Sequence, residues 1–122
     1  EKVVLPSGLC LRYPNLRPDK DDKGRLQWVY GEKKKRLYGG KLTENIVQAV
    51  ARCVMTDGML RIQKRYSCVL TVHDEVVCVV PKVEEEEAKT WVLAQMTMEP
   101  KYLPDIPLDA DVDSALRYGD AK

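Results

Sequence analysis

Residues 67 to 80 read Ser67-Cys68-Val69-Leu70-Thr71-Val72-His73-Asp74-Glu75-Val76-Val77-Cys78-Val79-Val80. Two apolar, β-branched runs flank three ionisable residues. Valine loses side-chain freedom in a helix but packs well on a pleated surface, so both runs predict strands. A tight polar turn at His73-Asp74-Glu75 joins them. The ionisable triplet therefore sits at the tip of a hairpin whose arms are core.

Pro81 ends the second arm. Acidic residues 84 to 87 then open a helix, where they meet the positive end of its dipole. Ala88, Trp91, Val92, Gln95 and Met96 give that helix a mostly apolar stripe, and Pro100, Pro104 and Pro107 stop it. Upstream lies the longest helix candidate. Leu42, Ile46, Ala49, Val50, Cys53 and Val54 recur at three- and four-residue spacing. Thr43 is the expected N-cap and Gly58 the expected terminator or interruption. Gly39-Gly40 suggests a close turn before it.

The N-terminal part reads as short strands and turns. Residues 3 to 5 and 9 to 13 flank Pro6-Ser7-Gly8, a β-hairpin pattern. Pro14 and Pro18 interrupt the chain, and residues 19 to 24 (DKDDKG) read as a surface loop. Residues 26 to 30 (LQWVY) predict a strand, and residues 31 to 36 (GEKKKR) form a basic segment. A final edge strand is expected over residues 108 to 112. The total is an α+β fold: a small antiparallel sheet with the hairpin at 67 to 80, packed against two main helices as one domain.

Composition narrows the function classes. Apolar residues make up 44% and charged residues 32%, a globular mix that argues against disorder. The net charge is only +1, so any nucleic-acid signal must come from local patches. No apolar run approaches the roughly 20 residues that span a bilayer. The start lacks a signal-peptide layout, so the cytoplasm is the expected compartment. The chain also begins without Met, inside a strand-like run, as an excised fragment does. Cys10, Cys53, Cys68 and Cys78 lack zinc-knuckle spacing and read as free thiols in a reducing compartment.

Two adjacent carboxylates at Asp74 and Glu75 repel each other, so folding alone does not favour them. A hard divalent cation would relieve that repulsion, and Mg²⁺ takes carboxylate oxygens together with waters and substrate phosphates. The bland alternative is a solvated turn that accepts Asp. Neighbours on a strand point to opposite faces, so the two carboxylates need not share a role. For Lys33, Lys34, Lys35 and Arg36 the alternatives are a solvated loop and contact with duplex phosphates.

Leu70-Thr71-Val72-His73-Asp74-Glu75-Val76-Val77 resembles motif C of the family A (Pol I-like) DNA polymerases. Residues 38 to 52, YGGKLTENIVQAVAR, resemble the long palm helix that precedes motif C, in its phage form. Residues 5 to 16, LPSGLCLRYPNL, resemble the hairpin that follows the fingers. The three occur in the family's order and cover essentially the whole chain.

The resemblance implies a C-terminal palm segment, residues 1 to 122, of a DNA-directed DNA polymerase acting in DNA replication. Asp74 would be the second of two catalytic, metal-binding aspartates, and Glu75 would assist near the metals. The cofactor would be Mg²⁺, serving two-metal nucleotidyl transfer. His73 would lie close to the primer end. Gln48, with Asn45 or its rival Glu44, would face the minor groove of the primer–template. Lys41 would contact DNA. The implied partners are primer–template DNA, deoxynucleoside triphosphates and the remainder of the polymerase chain, with no membrane.

The chain departs from the family pattern in places. Cys53 follows Arg52 where phage-type members usually carry Asp. Motif A and the nucleotide-binding fingers helix are not found, and the chain has no Phe. The resemblance therefore implies that this chain alone is inactive. Two other classes remain. A metal-dependent phosphohydrolase needs more histidines than the single His73. A stand-alone accessory or interaction domain with a palm-like fold is the remaining alternative.

Overall fold

The computed structural model describes residues 1 to 121, which divide into two compact units, residues 1 to 51 and residues 52 to 121. The division falls inside the long helix.

The first unit begins with a hairpin of β1 (Lys2–Val4) and β2 (Cys10–Arg12). Its turn is closed by Leu5 N–H to the Leu9 carbonyl at 2.7 Å and Gly8 N–H to the Leu5 carbonyl at 2.9 Å. Gly8 takes φ 86°, which glycine adopts without steric cost. Next comes a three-stranded antiparallel sheet of β3 (Arg17–Lys20), β4 (Leu26–Tyr30) and β5 (Lys35–Leu37), in that order. Pro18 is tolerated because β3 is an edge strand. Leu5, Tyr13 and Val29 are the buried residues here, and Tyr13 meets Tyr30 edge-on at 5.1 Å.

Helix α1 (Gly39–Ile62) follows. In the second unit, β6 (Ser67–Val72) and β7 (Glu75–Val79) form an antiparallel hairpin. After a short 3-10 turn comes α2 (Glu85–Met96). The core of this unit is Ile62, Tyr66 and Ala88, with Cys68, Val76, Cys78, Val80, Trp91, Val92 and Met96 packed around them. The hairpin therefore lies against the C-terminal part of α1 and against α2. Arg61 donates from both Nε (3.2 Å) and Nη2 (2.6 Å) to the Gln95 carbonyl, a cation at the negative end of α2. Tyr102 OH donates to Asp57 Oδ2 at 2.7 Å and ties the segment after α2 to α1.

The α+β class, the two helices, the LQWVY strand and both hairpins stand as expected. Several details differ. The strands form three separate antiparallel sheets rather than one. Asp19 and Lys20 belong to β3, and Lys35 and Arg36 to β5, because each strand finds a pairing partner in β4. Thr43 does not cap α1. The helix starts four residues earlier, and Thr43 Oγ1 donates back to the Gly39 carbonyl at 3.0 Å. Gly58 does not end the helix. It is buried, and a Cβ there would lie 2.8 Å from Met96 Sδ. Close packing of α2, not termination, explains the glycine. Residues 108 to 112 form no strand. Pro104 and Pro107 precede them, and the Ala110 N–H is taken locally by Asp109 Oδ1 at 2.9 Å.

Two measurements check this packing. Gly58→Ala should lower stability by about 1 kcal/mol, because overpacking outweighs the helix-propensity gain. Ile62→Ala, at 0% exposure, should cost about 2–5 kcal/mol. Urea titration reads both.

The second check is pH. Burial, and then the bond to Asp57, raise the Tyr102 phenol above its ordinary 10.0. The folded state holds that proton more tightly than the unfolded chain. The contribution is thus complete below about pH 10 and is lost as pH rises further. The urea midpoint should fall above pH 10, and less steeply in Tyr102→Phe. An unchanged slope would contradict the assignment.

Candidate functional site

His73 and Asp74 make the whole turn between β6 and β7, and Val72 pairs with Glu75 across its base. All three ionisable residues are exposed. His73 takes φ 52°, on the left-handed side of the backbone map. A residue with a Cβ meets its own carbonyl there, at a cost of about 1–2 kcal/mol. Glycine, Asn or Asp would fill that position more comfortably.

Asp74 and Glu75 are held differently. Asp74 is part of the turn, whereas Glu75 is the first residue of β7. Glu75 Oε2 accepts a bond from Tyr118 OH at 3.2 Å. Partial burial, and then the Glu75 charge, keep the Tyr118 phenol above its ordinary value. Arg52 Nη1 donates to the His73 carbonyl at 3.4 Å, so α1 steadies the tip. The Tyr118 contact had no signal in the sequence. The two residues lie 43 positions apart, and Tyr118 belongs to a short 3-10 turn outside any periodic pattern.

The other expected site residues lie in the first unit, on α1. Lys41 Nζ pairs with Glu44 Oε2 at 3.0 Å. Gln48 Nε2 donates to Glu44 Oε1 at 3.4 Å. Lys41, Glu44 and Gln48 therefore form one polar string along an exposed helix face. Asn45 is turned elsewhere. It is half-buried, and its Nδ2 donates to Tyr13 OH at 3.1 Å. Between the rivals, Glu44 is the residue beside Gln48.

The basic segment is partly committed to the fold. Lys34 Nζ pairs with Asp19 Oδ2 at 3.0 Å, and the Arg36 guanidinium lies 5.4 Å from the centre of the Tyr38 ring. Arg65 is not a plain surface cation. It pairs with Glu87 at 2.5 Å and Glu84 at 3.7 Å, and lies over Tyr66 and Trp91. Glu84 and Glu87 are thereby tied to the turn that follows α1.

All four cysteines are free thiols. Cys68 and Cys78 face each other across the hairpin, and burial pushes both thiols up. Among the described residues, no three His, Cys, Asp or Glu side chains cluster as a metal cage. None of the described helices is long and apolar enough to cross a membrane.

The chain is 36% identical to a DNA polymerase of Bacillus phage SP02 over 118 aligned residues. The alignment takes in 89% of this chain but 18% of the polymerase, so the chain spans under a fifth of that relative's length. No family model matches the chain, and no solved structure matches it.

The turn geometry can be checked without any assay of function. His73→Val should destabilise by about 1–2 kcal/mol, because a β-branched residue resists positive φ. Asp74→Ala, at an exposed turn, should stay within about 0.5 kcal/mol. Thermal melts of the two variants decide this. A large loss in Asp74→Ala would mean that the carboxylate is structural.

Proposed function

We propose that this chain is a C-terminal palm segment of a family A DNA polymerase of phage type, with the hairpin tip serving as motif C. The carrying observation is that tip. An exposed Asp stands on a two-residue turn, in a chain 36% identical over most of its length to a phage DNA polymerase. The left-handed backbone at His73 adds support. Strain kept at a position where glycine would be easier is typical of functional sites.

Asp74 would serve as one of two catalytic aspartates, and Glu75, steered by Tyr118, would act beside it. The donor chemistry fits Mg²⁺, which is content with one or two carboxylates completed by waters and phosphates. When bound, the ions supply charge stabilisation for nucleotidyl transfer between a primer 3′ hydroxyl and a deoxynucleoside triphosphate. The residues of this chain hold and orient. Arg52 and the β6–β7 pairing fix the tip, His73 stands next to Asp74 on the primer side, and Gln48 reads the minor groove of the primer–template without sequence preference. The rest of the polymerase would bring the other aspartate and the nucleotide-binding helix. Val69, Leu70 and Val79 leave apolar surface exposed on the hairpin, which suits packing against that missing part.

Two experiments test the reading. The chain alone, given primer–template, Mg²⁺ and nucleotides, should extend no primer above a no-enzyme control. In the polymerase that contains the segment, Asp74→Ala should cut the extension rate by a factor on the order of 10²–10³ or more, with duplex binding retained. Extension by the isolated chain, or full activity in that variant, would sink the proposal.

A further inference from the structure

One face of the β3–β5 sheet carries exposed aromatic and aliphatic side chains. Strand register sets Pro18, Trp28 and Leu37 abreast, Lys20 beside Leu26, and Lys35 beside Tyr30. Cross-strand partners share a face, so these seven residues lie together on one side. Trp28 is 51% exposed, Leu26 72% and Tyr38 55%. Beside them lies an open hollow of about 250 Å³, lined by Leu16, Trp28, Leu37, Tyr38, Gly39 and Leu42. Gly40 helps to shape its wall, because a Cβ there would come within 3.2 Å of the Tyr38 ring.

The hollow is apolar, but its surroundings are cationic. The Arg36 guanidinium lies 5.4 Å from the Tyr38 ring centre, although its strand position pairs with Val29 on the other face of the sheet. Lys35 is exposed on the Trp28 face. Lys41 lies in electrostatic reach of Tyr38 and Tyr30, and its partner there is Glu44. Flat exposed rings ringed by cations match a ligand with π faces and a polyanionic backbone. A duplex keeps its base faces stacked inside, whereas an unpaired strand offers them.

We infer that Trp28, Tyr38 and the hollow between them form a base-stacking site for single-stranded nucleic acid, with Lys35, Arg36 and Lys41 on the phosphates. Stacking holds any base because every base has a π face, and the cations track the backbone. The site lies wholly in the first unit and stands without the polymerase reading.

The test titrates the full chain into a fluorescein-labelled oligodeoxythymidylate of about a dozen nucleotides, by anisotropy at low salt. A duplex of equal length runs beside it. The single strand should bind more tightly than the duplex, and Trp28→Ala should weaken it about tenfold, as expected for one lost stacked base. Trp28→Phe should restore most of the affinity. Arg36→Gln and Lys35→Gln should each lower the salt slope by roughly one. If Trp28→Ala fails to fold, Trp28→Leu replaces it, keeping apolar volume without the π face. The inference is overturned if removing the ring leaves single-strand affinity unchanged. It is overturned too if the duplex binds equally well with the same dependence on Trp28. A chain that is dimeric by light scattering, and monomeric only in the variant, would assign this face to a second copy instead.

Discussion

Ile62 has no exposed surface, and the order of the second unit follows from what covers it. Tyr66 and Ala88 close over it, and Val76, Cys78 and Val80 of the hairpin pack around them. Val76 and Cys78 alternate along β7 and share one face, and Val80 follows at the same two-residue spacing just past its end. A slip of one residue would carry Val77 and Val79 inward and break the pairing of Val72 with Glu75. The core thus sets the register, and the register places the turn at His73-Asp74. The energies allow it. Burying one Ile side chain contributes about 1.5–3 kcal/mol. The left-handed backbone at His73 costs about 1–2 kcal/mol. The gain from burying one such residue is thus of the same order as the strain at the tip, while the rest of the cluster offsets the entropy of ordering the chain.

Charge plays a smaller part in holding the fold. Most ion pairs here are exposed, as Arg25 with Asp21 and Lys89 with Glu86 illustrate. Such pairs are screened by solvent and contribute little. Arg61 differs. It is partly buried and bonds twice to one carbonyl near the end of α2, where cation and helix dipole agree. Arg65 likewise spans from Tyr66 and Trp91 to Glu84 and Glu87. Arg61 thus ties the C-terminal end of α2 to α1, and Arg65 ties its N-terminal end to the turn that follows α1. The near-neutral net charge therefore hides a division of labour between internal clamps and a local basic surface.

Legibility in the sequence tracked the range of the interaction. The hairpin over residues 67 to 80 was readable because two valine-rich runs and a polar triplet are local signals. The apolar stripe of α2 was readable because Ala88, Trp91 and Met96 recur at helical spacing. β5 was hidden, because Lys35-Arg36-Leu37 has no strand pattern of its own and forms only against β4. Gly58 misled for a similar reason. Glycine commonly ends helices, and only the approach of Met96 explains it mid-helix. In the candidate site, Asp74 was evident, but Tyr118 was not. Nor was the bond that turns Asn45 toward Tyr13 rather than leaving it beside Gln48.

The two carboxylates at the tip illustrate why position in the fold matters more than adjacency. Asp74 belongs to the turn, where the backbone reverses and the side chain reaches water. Glu75 belongs to β7, where the pleat aims it and Tyr118 OH holds one of its oxygens. A ligand for a hard cation must present oxygens freely to the ion, the waters and the phosphates that complete its shell. Asp74 is exposed on the turn, so in the proposed role its oxygens would be open to such partners. Glu75 spends part of its acceptor capacity on a phenol and gains a fixed direction in return. Two neighbouring acids in the sequence thus become one solvent-facing carboxylate and one oriented by a hydrogen bond. The difference arises from the two-residue turn itself, since a longer loop would leave both carboxylates equally free.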